Sequence, residues 1–319
     1  PPEQLHGRTK MYSHEVTLDI GQLLYYAAAA LVTYYALQFS SILLPTGGEQ
    51  VVVSEELAEP PTPETKFDLL KHEKAKPDFS VVKCWDPSTL TYLGEVKADT
   101  KESVEQKIRK CRAAQETWSK STFAQRRQLM KTMLRFVVEN QATIAKVAVR
   151  DSGKTVTDAI FGEVLVTCEK LKYLAANGES ILRNEKRATG SLVWFTKNVW
   201  VEYRPLGVIG AIVPWNYPFH NVFNPVSAAL MAGNGIVVKV SPYASWSAAG
   251  YFGAALKECL KAVGAPEDLV QIVHGYGQAG AALVGGGIDK CIFVGSPQVG
   301  KIVMETASKT LTPVVLELG

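Results

Sequence analysis

Cysteine is scarce in this 319-residue chain. Its five residues, Cys84, Cys111, Cys168, Cys259 and Cys291, show no paired short spacing. That excludes a disulfide framework and a zinc site of the Cys-x-x-Cys kind, and the odd count favours free thiols. Blocks of lysine and arginine are also missing. A net charge of +3 spread along the chain gives no basic footprint for nucleic acid. A phosphate loop is absent too: Asp151-Ser152-Gly153-Lys154-Thr155 has Ala148 where that motif requires its first glycine. Gly153 reads better as a helix C-cap. What remains is 47% apolar and 20% charged, the balance of a packed globular protein, with length for two domains or one large domain with extras.

Residues 1–19 form an N-terminal flank. No charged residue occurs between Asp19 and Glu49, and residues 20–44 make a 25-residue uncharged run. A membrane-spanning helix needs about 20 predominantly apolar residues, so this segment is expected to anchor the chain in a lipid bilayer. Tyr25, Tyr26, Tyr34 and Tyr35 count against it, since tyrosine prefers interfaces. A cleaved signal peptide and a buried soluble helix are the rival readings. Arg8 and Lys10 precede the run and four glutamates follow it, which places the N-terminus in the cytoplasm by the positive-inside rule. A single-pass protein of the endoplasmic reticulum is the expected location. Residues 45–79, rich in Glu and Pro, read as a solvated, extended tether.

The chain is organised around residues 207–242. Val208 to Val213 is a buried apolar strand stopped by Pro214. Pro218 opens a helix whose apolar stripe is Phe219, Val222, Phe223, Val226 and Leu230, with a kink expected at Pro225. Gly233 and Gly235 end it, and 236–240 is a second strand. This βαβ unit predicts an α/β fold with an open, doubly wound parallel sheet and right-handed crossovers. Ligands bind such sheets outside the carboxyl ends of the strands, where Asn216 and Lys239 stand. The same two residues also read blandly, as a helix cap and a snorkelling lysine.

Around this unit, 81–85 and 92–96 read as a hairpin across Asp86-Pro87-Ser88. Helices are predicted over 103–118, over 123–151 with a break near Glu139-Asn140, over 164–182 and over 246–263. Residues 191–195 and 199–203 are predicted to pair as a ribbon within 191–204. Trp194, Phe195 and Trp200 leave that ribbon apolar on its surface. Further strands follow at 269–273, 291–294 and 312–318. His274-Gly275-Tyr276-Gly277-Gln278-Ala279-Gly280 carries a G-x-G-x-x-G spacing between strand and helix, a weak signal because no acid follows at the dinucleotide-fold spacing after the first strand.

Pro214-Trp215-Asn216-Tyr217-Pro218, then Lys239, then Phe293-Val294-Gly295-Ser296-Pro297-Gln298-Val299-Gly300, then Glu317-Leu318-Gly319 together resemble the aldehyde dehydrogenase superfamily in order and spacing. The resemblance covers about 81–319, the family's N-terminal, cofactor-binding half. With its apolar N-terminal segment the chain is similar to membrane-anchored fungal and plant members. It implies a Rossmann-like domain over 80–319 that binds NAD or NADP. It also implies an aldehyde substrate, a homo-oligomer assembled through the 191–204 ribbon, and a catalytic domain lying after 319; a first residue that is not methionine and a last one directly after an expected strand lead to the expectation that both ends of the chain are missing.

By that resemblance Asn216 donates to an oxyanion and Glu317 is the base that activates water. Ile212, Pro214, Trp215, Lys239, Gly275, Gly295, Ser296, Gly300 and Leu318 contact the cofactor, and no metal is required. The family's reaction needs a thiolate nucleophile, an oxyanion hole and a carboxylate that activates water. The nucleophile is expected beyond Glu317, past the end of the chain; the five cysteines present read as inert packing. One departure concerns the cofactor: Pro242 stands where many members place a ribose-binding glutamate, which leaves the choice between NAD and NADP open. The alternative reading is a membrane-tethered dinucleotide-binding scaffold without catalysis.

Overall fold

The computed structural model describes residues 20–43, 47–60, 78–188 and 197–319. The chain divides into two compact units, Pro1–Leu44 and Pro45–Gly319. In the first, Ile20–Leu43 is a single helix, α1. Among the described residues, however, no helix is long and apolar enough to cross a membrane. Nothing among the described residues therefore supports the expected bilayer anchor.

The second unit starts with a segment expected to be a solvated tether. Residues 47–60 instead lie against the domain, with Val51, Val53 and Ala58 buried. Glu49 N donates to Thr132 Oγ1 at 3.0 Å, Arg135 donates to Gly48 O, and Glu59 pairs with Lys146 and Arg150. Three apolar side chains spaced along an acidic strip suffice to pin it. The rest of that stretch, 61–77, lies outside the described residues.

Strands β1 (Val81–Trp85) and β2 (Tyr92–Lys97) form the expected antiparallel hairpin. Helices α2 (Lys101–Trp118), α3 (Phe123–Glu139) and α4 (Gln141–Ser152) follow, with the break at Asn140 where it was read. Thr122 and Gln125 close a capping box on α3. Gly153 ends α4 in the left-handed region, donating to Val149 O at 2.7 Å. The next helical stretch is not uniform. Val156–Ala159 (α5) passes through a π-helical segment, Ile160–Leu165, into α6 (Val166–Ile181).

The ribbon is paired differently from the expectation. Strand β4 (Val199–Val201) runs antiparallel to β3 (Glu185–Arg187). Residues 189–196, which hold the predicted first strand, lie outside the described residues. Val199, Trp200 and Tyr203 are exposed, so apolar ribbon surface is present.

The core is a five-stranded parallel sheet in the order β7-β6-β5-β8-β9. Its strands are β5 (Val208–Ile212), β6 (Gly235–Lys239), β7 (Val270–Val273), β8 (Lys290–Val294) and β9 (Val314–Glu317). Winding outward from β5 to β7 lays α7 (His220–Met231), α8 (Ser245–Ala249) and α9 (Tyr251–Ala262) on one face. The chain then returns to β8, so right-handed crossovers lay α10 (Gly277–Gly285) and α11 (Pro297–Ser308) on the other. Pro225 sits inside α7, and Gly250 splits the single helix read over 246–263. Strand β6 is buried at every position, as a central parallel strand requires. Val208, Val237, Val273 and Phe293 pack against Ile108 and Cys111 of α2 and Leu283 of α10. On the opposite face Phe219, Phe223 and Phe252 form an aromatic cluster, with ring centroids 4.2 and 5.0 Å from Phe219.

Candidate active site

The order in which the chain winds through the parallel sheet reverses between β5 and β8, and the crevice outside the carboxyl ends of those strands is where such a fold binds ligands. Ile212 ends β5, in register with Lys239 on β6 and Phe293 on β8. Pro214 and Asn216 follow directly. Gly295 and Ser296 leave the end of β8, and Glu317 ends β9 opposite Val294, its carbonyl accepting from Gly295 N at 3.0 Å. Ser296 caps α11, and Gly300 N donates to Ser296 O at 2.9 Å. Gly300 packs so closely on Leu318 that a Cβ there would stand 2.7 Å from Leu318 Cδ2. The motifs scattered over a hundred residues of sequence therefore share one sheet edge. Asn216 and Glu317 are both exposed there, at the ends of strands separated by β8.

Lys239 is the charged group of this edge. Its side chain is 93% buried in position, at 7% exposure, and burial alone pushes its ammonium down to about 8. Among the described residues no carboxylate pairs with it. Beside it, across the Lys239–Val273 register, stands His274. His274 is buried, and its Nδ1 has no hydrogen-bond partner among the described residues. Burial, then the positive charges of Lys107 and Lys239, push the imidazole down to about 4 against the pull of Asp99, so the ring is neutral. His274 N donates to Asp99 Oδ2 at 2.8 Å, and Lys107 donates to the same oxygen at 2.7 Å. Gly275 follows at φ +123°, which brings the loop backbone against Ala98 and Ala279. Trp215 is half exposed, with its ring edge-on to Tyr243 at 6.5 Å. Pro242 opens a short 3-10 turn, Pro242–Ala244, and brings no carboxylate to Lys239.

The loop that carries Asn216 is held from outside the sheet, by residues that sequence reasoning passed over. Glu163, fully buried in the π-helical segment, accepts from Phe219 N at 2.6 Å and His220 N at 3.2 Å. It thereby satisfies two of the free N–H groups at the start of α7, where no side-chain cap exists. Its other oxygen pairs with Lys154 at 2.9 Å. Burial pushes the Glu163 carboxyl up, while Lys154 and the two amides draw it back. Lys154 Nζ also stands 3.8 Å over the Tyr217 ring, whose edge fills the space beside Gly162. A π-helical turn is frequent at functional sites, but only the small Gly162 in an otherwise bulky stretch marks it in the sequence. At the far end of the loop Asn221 Nδ2 donates to Asn216 Oδ1 at 3.1 Å and to Pro214 O at 3.3 Å.

All five cysteines are buried. Burial pushes Cys84, Cys111 and Cys168 up to about 12 and Cys291 up to about 11, and it raises Cys259 as well. None is a thiolate at neutral pH, and none lies at the sheet edge with Asn216.

Fold and edge define an α/β protein of the dinucleotide-binding kind. Residues 74–319 match the aldehyde dehydrogenase family, and the chain belongs to that family. It is 41% identical over 241 residues to an aldehyde dehydrogenase-like protein of Schizosaccharomyces pombe, a match covering 75% of this chain and 46% of the relative. It is 31% identical over 246 residues to aldehyde dehydrogenase [NAD(P)+] 1 of Saccharomyces cerevisiae, covering 76% of this chain and 47% of that one. Among solved structures, the NAD+ complex of an aldehyde dehydrogenase from Bacillus cereus superposes with a TM-score of 0.67 at 28% identity, over 75% of this chain and 48% of that chain. The chain thus spans about half the length of the curated relatives it matches.

Proposed function

We propose that this chain supplies the cofactor-binding half of an enzyme that oxidises an aldehyde to a carboxylic acid with NAD or NADP. The observation that carries the reading is the meeting, at one sheet edge, of Lys239, the Asn216 loop and the Gly295–Gly300 turn. The residues fit a dinucleotide. Among the described residues Lys239 is a buried cation without an anionic partner and His274 Nδ1 is an orphaned buried nitrogen beside it, and α11 presents a Ser296-capped N-terminus where phosphate is favoured.

Ile212, Pro214, Trp215, Gly275 and Leu318 would line the dinucleotide, with Gly295, Ser296 and Gly300 at its phosphates and Lys239 at its ribose. With Pro242 in place of an acid, Lys239 tolerates a 2′-phosphate as well as a free hydroxyl. The cofactor, when bound, supplies the hydride acceptor. This chain's residues act around that step: the Asn216 NH2 donates to the oxygen that becomes an oxyanion when a thiolate attacks the aldehyde, and Glu317 takes a proton from the water that releases the acid. The thiolate comes from outside these 319 residues. The exposed Val199, Trp200 and Tyr203 support assembly of a homo-oligomer through the ribbon.

Calorimetric titration of the 319-residue chain with NAD+ and NADP+ tests the reading. Both should bind, and Lys239→Met should weaken NADP+ by about tenfold or more, the worth of a charge-assisted hydrogen bond. No binding of either dinucleotide, or equal affinity for NADP+ in the variant, would contradict it.

A further inference from the structure

The amide of Asn216 has two faces, and only one of them can donate to an oxyanion. Which face points outward is decided by Asn221, the second residue of α7. Its Nδ2 lies 3.3 Å from the carbonyl oxygen of Pro214. A carbonyl only accepts, so the group of Asn221 that faces it must be the NH2. That same NH2 lies 3.1 Å from the Asn216 side chain. A donor can only be met there by an acceptor, so Asn216 turns its Oδ1 inward and its own NH2 away from α7. The orientation follows from the chemistry of Pro214 O and does not depend on telling nitrogen from oxygen in an amide.

The pair is also anchored at both ends. Asn221 N donates to Tyr217 O at 2.9 Å, which fixes the start of the helix beneath the loop. Glu163 and Lys154 fix the segment between them, at Phe219, His220 and Tyr217. The backbone over 217–220 is therefore held by groups other than the Asn221 side chain, which itself reaches the backbone only at Pro214 O. What Asn221 adds is the choice between two orientations of one exposed amide. Neither oxygen nor nitrogen of Asn216 has another side-chain partner among the described residues to make that choice.

We propose that Asn221 is a positioning residue for the oxidation of aldehydes: it holds the Asn216 amide with its NH2 outward, as a preset donor to the developing oxyanion. The inference rests on the function proposed above. It makes Asn221→Asp more damaging than Asn221→Leu. A carboxylate at 221 has no proton for Asn216 Oδ1 and attracts the Asn216 NH2 instead. The amide turns over, and a lone pair faces the oxyanion. A leucine leaves the amide free to populate both orientations, so about half the molecules stay competent and the loss is about twofold.

The test is a double-mutant series in the full-length protein, read by the pre-steady-state burst of NAD(P)H with an aldehyde. A second readout is the cofactor-free hydrolysis of p-nitrophenyl acetate, whose tetrahedral intermediate carries the same oxyanion. Asn216→Ala should slow both by roughly 10²–10³. Asn221→Asp should approach that loss, while Asn221→Leu, which equally gives up the hydrogen bond to Pro214 O, loses about twofold. Adding Asn221→Asp to Asn216→Ala should change neither rate further, because no amide remains to be turned. An Asn221→Asp enzyme at the wild-type rate, a leucine variant as slow as the aspartate, or a full additional loss on the alanine background would each overturn the inference. Wild-type rates in Asn216→Ala would overturn the functional reading itself, and the inference with it.

Discussion

Glu163→Ala is the substitution whose consequences the structure fixes most tightly. It removes one partner of an ion pair whose side chains are 0% and 8% exposed, leaving the Lys154 ammonium, among the described residues, with the face of Tyr217. It also strips the acceptor from Phe219 N and His220 N at the head of α7. Removing one member of a buried pair costs about 3–5 kcal/mol, largely because the other charge is left uncompensated. Buried amides that lose their acceptor cost about 1–3 kcal/mol each when no water replaces it, and water entering the vacated space offsets much of that. A loss of about 4 kcal/mol would be a large share of the roughly 5–15 kcal/mol that a domain possesses. Urea unfolding followed by tryptophan fluorescence measures it, because Trp118 donates to Leu230 O at the other end of α7. The double variant Glu163→Ala/Lys154→Met removes the stranded charge and should recover a substantial part of the loss. A single variant within about 1 kcal/mol of wild type, with no recovery in the double, would refute the account of how the loop is held.

Asp151 is buried where it accepts from Ser247 N at 3.2 Å, and that burial pushes its carboxyl up to about 7. Between about pH 4 and 7 the folded chain then keeps a proton that the unfolded chain has released, so stability should fall as pH rises through this window. Asp151→Asn should flatten that part of the urea-midpoint profile; an unchanged slope would show that Asp151 ionises normally. The five buried thiols should fail to react with Ellman's reagent at pH 8 in the native chain and all react in denaturant. A fast-reacting thiol in the native state would point to a reactive cysteine within the 319 residues. For the same reason the 319-residue chain should form no NAD(P)H from an aldehyde.

Much of the sheet was legible because it rests on short-range chemistry. The apolar run at 208–213, the stop at Pro214 and the turn at Gly233 and Gly235 are each decided within a few residues, and the βαβ unit follows from them. The break at Asn140 and the αL cap at Gly153 are equally local. Strand ends are also where the candidate residues stand, so the topology carries Asn216, Lys239, Gly295 and Glu317 to one edge. What the sequence concealed depends on partners far along the chain. Glu163 sits in a stretch that reads as an ordinary amphipathic helix; its burial is decided by Lys154 and by α7, more than fifty residues later. The π-helical turn and the split at Gly250 insert a local irregularity that a 3.6-residue period averages over. Residues 47–60 look solvated because their acids dominate the composition, yet Val51, Val53 and Ala58 find cover.

The central claim is a division of labour at the sheet edge, with Asn216 acting before hydride transfer and Glu317 after it. Stopped-flow measurement of NAD(P)H formation by the full-length protein, in Asn216→Ala beside Glu317→Gln, tests it most directly. The account predicts that Glu317→Gln keeps a burst of about one equivalent per site followed by slow turnover, because the amide keeps the shape but cannot accept a proton from water. In Asn216→Ala the burst itself should slow by roughly 10²–10³. Loss of the burst to the same extent in both variants would contradict the division and place Glu317 before hydride transfer as well.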